Sequence, residues 1–200
     1  MSNIRKEYEK RVMITESDYF KIVSHFMRLN PDRKYIKNTN IYFDTPDLYM
    51  RHHHSNLRIR IIDDEKYELT LKISRPEGDD ELNDYPTKKE VDALLKHGAF
   101  PDGVVKRFLL TLPYPLADYR KITTLETIRL EIENEDHLLV IDKNTYSNIV
   151  DYNIEIEAED SINVANKRLN DYMKQFNIVE PAQKYIGKSH RAIDATLKRN

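Results

Sequence analysis

The chain has 200 residues, 40% hydrophobic and 33% charged, with 32 Lys and Arg against 34 Asp and Glu and a formal net charge of −2. That length suits one folded domain, and the near-balanced charge excludes the basic surface of a general nucleic-acid binder and the polybasic segment of a membrane anchor. The absence of cysteine excludes disulfides, thiolate metal sites and a cysteine nucleophile, and no apolar run approaches the roughly 18 residues of a membrane span.

The first strand is expected over residues 6–14. Thr15 and Asp18 then open a helix with Tyr19, Ile22, Val23, Phe26 and Leu29 at helical spacing and His25 at the edge of the core. Strands follow at 38–44, 56–63 and 66–74, the last two joined across Asp63-Asp64-Glu65. His52, His53 and His54 would alternate in direction on an extended chain, so they read as an exposed loop, with a contact at the substrate entrance as the alternative. Residues 74–86, rich in Pro, Gly and Asp, read as an exposed loop. Thr87 and Glu90 form a capping-box pattern before Val91, Leu94 and Leu95, and Pro101 opens a short helix through Leu110. Further strands are expected at 124–133, 137–142, 146–150 and 151–159. Ser161 starts a helix carrying Val164, Leu169, Tyr172, Met173 and Phe176, and a last helix falls between 184 and 198. Both halves share this style, so the expectation is a single α+β domain over residues 1–200, and eight strands are enough to close a barrel.

Side chains on a strand alternate between two faces. Glu7, Glu9 and Arg11 share one face of the first strand. Arg58 and Arg60 oppose Leu57, Ile59 and Ile61, and Glu68, Thr70 and Lys72 oppose Leu69, Leu71 and Ile73. Thr127, Arg129, Glu131 and Glu133 oppose Ile128, Leu130 and Ile132, and Glu155, Glu157 and Glu159 oppose Ile154 and Ile156. A solvated sheet also alternates, but here several strands carry carboxylates and guanidinium groups in tight sets. If helices cover the apolar faces from outside, the charged faces line the interior of a closed eight-stranded antiparallel barrel. Arginine forks there suit phosphate oxygens. Carboxylates there suit Mg²⁺ or Mn²⁺, and a triphosphate with its metal satisfies both.

The ordered set Glu7-Tyr8-Glu9-Lys10-Arg11, Asn40 to Pro46, Leu57-Arg58-Ile59-Arg60, Glu68 to Lys72, Val140 to Lys143, Ile154 to Glu159, Gln183-Lys184-Tyr185 and Ser189 to Ala192 resembles the CYTH superfamily of triphosphate tunnel metalloenzymes, in its YjbK-like bacterial branch. The resemblance implies metal-dependent hydrolysis of a triphosphate, with inorganic tripolyphosphate favoured. Cyclisation of ATP in the manner of class IV adenylate cyclases and non-catalytic binding of a triphosphate, polyphosphate or nucleotide are the alternatives. It implies metal ligation by Glu7, Glu9, Asp142, Glu155, Glu157 and Glu159. It implies phosphate contacts from Arg11, Arg58, Arg60, Lys72, Arg129 and Lys184, with Glu7, Glu9, Arg58 and Lys72 central to catalysis. Two departures stand out: Arg11 replaces the signature's final Lys, and Leu125 occupies a position that is often basic. The expected partner is a small-molecule triphosphate rather than nucleic acid or membrane, and a homodimer is allowed for. The first residues lack the apolar stretch of a signal peptide, so a cytoplasmic location is expected.

Overall fold

The structure, a computed structural model, describes residues 5–75, 78–179, 181 and 185–199, with side chains throughout except at positions 5–7, 75, 78 and 79. The α+β class holds. Eight strands are present: β1 (Arg5–Ile14), β2 (Ile36–Asp44), β3 (Ser55–Ile62), β4 (Lys66–Arg75), β5 (Gly78–Asp84), β6 (Arg120–Glu133), β7 (Leu138–Tyr146) and β8 (Ile149–Ala158). The helices are α1 (Glu16–Leu29), α2 (Tyr49–His52), α3 (Lys88–His97), α4 (Val104–Leu109), α5 (Ile162–Gln175) and α6 (Lys188–Leu197). The described pairings of β1 with β8, β2 with β3, β3 with β4, β4 with β5 and β7 with β8 are all antiparallel. Among the described residues, no helix is long and apolar enough to cross a membrane.

The chain divides into two compact units, each discontinuous in sequence. The first comprises Met1–Lys6, Asn38–Leu125 and Lys188–Asn200. Its β2, β3, β4 and β5 pair in chain order, and Asp63 and Asp64 turn β3 into β4 with φ of 50° and 60°. Two successive left-handed residues match the right-handed twist of the strands they join. One face buries Ile41, Phe43, Leu57, Ile59, Leu69 and Leu71 against Val91 and Leu94 of α3 and Val105 and Leu109 of α4. Leu57, Ile59, Leu69 and Leu71 are 0% exposed, and each stabilises the fold by about 1.5–3 kcal/mol. Asp84 ends β5 and fixes α4: its two carboxylate oxygens accept from the N–H groups of Val104 and Val105, each at 2.9 Å. A Cβ at Gly103 would displace that carboxylate from its two donors.

The second unit comprises Glu7–Lys37 and Glu126–Gly187. In it β8 lies between β1 and β7, and the β6–β7 turn closes with Asn134 donating to the His137 carbonyl at 3.0 Å. The apolar face buries Val12, Ile14, Leu130, Ile132, Leu139, Ile141, Ile154 and Ile156 under Ile22, Val23 and Phe26 of α1 and Ala165 and Leu169 of α5. Both helices begin with the side-chain caps read from the sequence, Thr15 and Ser161. His25 lies at the margin of this core, edge-on to Phe26 and Phe176.

Four element assignments change. The segment read as a loop over 74–86 contains β5, whose Asp, Asn and Gly residues have poor intrinsic strand preference. Pairing with β4 overrides that preference, setting Glu81 against Lys72 and Asn83 against Thr70. The strands expected at 146–150 and 151–159 are one strand, because the chain reverses at Ser147, which has φ of 52°, and β7 runs on to Tyr146. The eight strands of the fold are therefore not the eight first delimited. Pro101 and Asp102 precede α4 instead of lying in it, and α2 was not foreseen.

Candidate functional site

In the second unit the face opposite the core gathers charge. Glu9 and Glu157 stand directly across from each other in the β1–β8 register, and Arg11 stands across from Glu155. Like charges in directly opposed positions destabilise a sheet. One carboxylate oxygen from each of Glu9, Glu155 and Glu157 falls within 4.8 Å of the other two. At that separation and an effective dielectric constant of about 20, two carboxylates repel by about 3–4 kcal/mol.

Two guanidinium groups stand among these acids. Arg11 pairs with Glu9 and reaches Glu155 at 3.5 Å, with its guanidinium 5.7 Å from the centre of the Tyr185 ring. Arg129, 9% exposed, grips Asp142 through two bonds of 2.9 and 3.0 Å and also reaches Glu155 at 3.3 Å, Glu131 at 3.5 Å and Glu157 at 3.9 Å. Burial alone would lower its pKa, but Asp142 and Glu155 more than reverse this and hold it well above the ordinary value. Five carboxylates (Glu9, Glu131, Asp142, Glu155, Glu157) against two guanidinium groups (Arg11, Arg129) leave an excess of three formal negative charges. An oxygen-only donor set of this charge fits a hard divalent cation.

Neutral groups on the same strands orient the acids. Asn153 donates to Glu155 Oε1 at 3.2 Å and accepts from Asn144 at 2.8 Å. Asn144 accepts from Thr127 at 2.9 Å and donates to Asp151 at 3.0 Å, and Asp151 accepts from the Tyr146 hydroxyl at 2.5 Å.

The first unit carries the other charged face. Arg60 donates to Asn40 at 3.0 Å and lies 3.6 Å from Glu68, and Lys72 pairs with Glu81 at 3.0 Å. Burial alone would raise the Glu81 pKa, but Lys72, Arg58 and Arg60 outweigh it and hold the carboxyl below its ordinary value. Three cations therefore act on one carboxylate there, a setting that suits an anion.

Of the residues singled out from the sequence, Glu9, Arg11, Arg129, Asp142, Glu155 and Glu157 come together in the second unit, and Arg58, Arg60 and Lys72 in the first. Asp142 is held by Arg129 and lies outside the trio of Glu9, Glu155 and Glu157. Glu159 is exposed just past the end of β8, also outside that trio. The Glu7 side chain and Lys184 lie outside the described residues. Leu125 is 0% exposed yet belongs to neither apolar core. His52, His53 and His54 are exposed, and His53 stacks on Tyr49 at 3.9 Å between ring centres. Sequence reading missed Asn144 and Asn153, although each stands two residues from a chosen acid and so on its face. It missed Glu81 and Asn83 because their strand was read as a loop.

A family model for the CYTH domain matches residues 5–176. The YjbK protein of Bacillus subtilis, named as a candidate triphosphatase, is 32% identical over 146 residues, which is 73% of this chain and 74% of that one. A candidate adenylate cyclase from Bacillus halodurans superposes with a TM-score of 0.83 at 29% identity, covering 94% of this chain and 97% of that one. The candidate adenylyl cyclase HpAC1 from Hippeastrum, described as having a dominant triphosphatase activity, shares the fold with a TM-score of 0.76 at 18% identity over 95% of each chain. The chain, with its two charged strand faces, belongs to the CYTH domain family.

Proposed function

We propose that this protein is a metal-dependent triphosphatase that hydrolyses inorganic tripolyphosphate to pyrophosphate and phosphate. The observation that carries the reading is the convergence of Glu9, Glu155 and Glu157, three carboxylates with the spacing to share one cation. Glu9, Glu155 and Glu157, joined by Glu7, Asp142 and Glu159 in the family resemblance, would hold Mg²⁺ or Mn²⁺, which would supply charge neutralisation and polarise a phosphoryl oxygen. Arg58, Arg60 and Lys72 are the residues assigned to grip phosphate oxygens, together with Arg11, Arg129 and Lys184, as in the family resemblance. Arginine forks and a lysine point charge suit that task because phosphoryl transfer is helped chiefly by positioning and by stabilising charge on non-bridging oxygens. Closure of the eight strands into a tunnel around the substrate is part of the reading and rests on the family.

A second reading, cyclisation of ATP to cyclic AMP and pyrophosphate, is favoured by the 29% identical relative named as a candidate adenylate cyclase. The third, binding of a triphosphate without turnover, needs no further group. All three are separated by incubating the protein with tripolyphosphate or ATP, each with Mg²⁺ and with Mn²⁺, and measuring phosphate, pyrophosphate and cyclic AMP. The expected product is phosphate from tripolyphosphate, reduced at least about 100-fold by Glu9→Gln or Arg58→Ala. Wild-type rates in both variants would remove these residues from the reaction, and tight binding with no product would establish the binding module.

A further inference from the structure

On the charged face of the first unit, Arg58, Thr70 and Asn83 stand directly across from one another on β3, β4 and β5. Nε of Arg58, Oγ1 of Thr70 and Oδ1 of Asn83 are each buried without a hydrogen-bond partner among the described residues, and so is Oδ1 of Asn56, two residues before Arg58. Such atoms are few in folded proteins, because each is desolvated with no bond to compensate for the water it lost. Four of them lie in one patch of three neighbouring strands, on the charged face.

Thr70 is the most telling of them. It is 0% exposed, and its neighbours Leu69 and Leu71 face the apolar core on the other side of the sheet. If packing alone decided the position, valine would fill the same volume without burying a hydroxyl. The residue instead places an O–H between Arg58 and Asn83, with Lys72 two residues on along the same face. Lys72 and Arg60 already have acidic partners in Glu81 and Glu68. The row of Arg58 and Thr70 therefore offers an N–H and an O–H donor side by side, which is the complement of one phosphate with two accepting oxygens. The Asn83 carboxamide can turn its amino group to the same oxyanion, since its oxygen and nitrogen are interchangeable by rotation.

We propose that Thr70 is a substrate-contact residue whose hydroxyl donates to an oxygen of the phosphate held by Arg58. The inference rests on the triphosphate reading above. The test uses the full chain with tripolyphosphate as the probe, in Mg²⁺ and in its absence, read by thermal shift and calorimetric titration. In Thr70→Val the melting temperature without ligand stays equal to wild type or rises, because an unmatched hydroxyl has been removed. The shift produced by tripolyphosphate shrinks, and Kd rises about tenfold, as for loss of one hydrogen bond to a charged group. KM rises more than kcat falls, and Thr70→Ser restores most of the affinity. Thr70→Ala serves the same comparison should the valine variant not fold.

A purely structural threonine moves only the ligand-free melting temperature. A wild-type protein that responds to tripolyphosphate, with an unchanged response in Thr70→Val, overturns the inference alone. A wild-type protein that gives no response to tripolyphosphate overturns the triphosphate reading and this inference with it.

Discussion

Arg129 is the cation about which the acidic face of the second unit is organised, and its removal has a calculable cost. Arg129→Met keeps most of the aliphatic volume and deletes the guanidinium. Asp142, 0% exposed, then loses a two-bond partner, and Glu155, 3% exposed, loses a contact at 3.3 Å. Breaking a buried pair from one side costs about 3–5 kcal/mol, because the remaining charge stays desolvated. For a chain of this length, where each kcal/mol moves the melting temperature by about 2–4 °C, the expected loss is about 6–20 °C. Asp142→Leu alone should cost less, since Arg129 keeps Glu155 and Glu131. In the double variant an apolar pair replaces the ion pair, a change that is often close to neutral. The double variant should therefore be more stable than the two single losses imply, with a coupling energy of about 2 kcal/mol or more from urea titrations followed by far-ultraviolet circular dichroism. Additivity within about 0.5 kcal/mol, or a loss below about 1 kcal/mol in Arg129→Met, would show that the pair does not organise this face.

Two further outcomes test the surroundings of the charged faces. Asp84→Ala removes the carboxylate that accepts from Val104 and Val105 at the start of α4, and should cost about 1–2 kcal/mol in urea titrations while leaving tripolyphosphate binding intact. No loss of stability would mean that another group satisfies those two donors. Asp136, hydrogen-bonded by Arg168 and then by His137, has its pKa drawn from 3.8 to about 2. A folded-state value below the unfolded one gives stability that is present above pH 4 and lost as pH falls from about 4 to 2. The melting-temperature gap between wild type and Arg168→Ala should close over that interval, and a gap constant from pH 6 to pH 2 would exclude this pair as its source.

The acidic site was legible because a strand has a strict period of two. Glu155 and Glu157 had to share a face, as did Arg58 and Arg60, and the apolar alternates Ile154, Ile156, Leu57 and Ile59 fixed which face met the core. Helix starts were legible for the same local reason: Thr15, Thr87 and Ser161 each cap a backbone N–H three residues on. Periodicity does not report register, which is a property of two strands together. The direct opposition of Glu9 and Glu157 appears only when β1 and β8 are paired. The bidentate hold of Arg129 on Asp142 is likewise a relation between strands, and the sequence assigned those two residues to different partners.

The failure at β5 has a different origin and bears directly on function. Its sequence, Gly-Asp-Asp-Glu-Leu-Asn-Asp, offers one apolar residue and almost no intrinsic strand preference. What recruits it is the charged face itself. Glu81 meets Lys72 at 3.0 Å, while Leu82 packs at the edge of the core and Asp84 caps α4 from the opposite face. Alternation is preserved, with Glu81 and Asn83 on one side and Leu82 and Asp84 on the other, but it is written in polar residues that a hydrophobicity pattern cannot distinguish from a loop. A strand whose Glu81 pairs with Lys72 is held in part by a group proposed to receive phosphate. Lys72→Met should therefore loosen β5 as well as weaken anion binding, whereas Thr70→Val leaves the Lys72–Glu81 pair untouched and isolates the contact to phosphate.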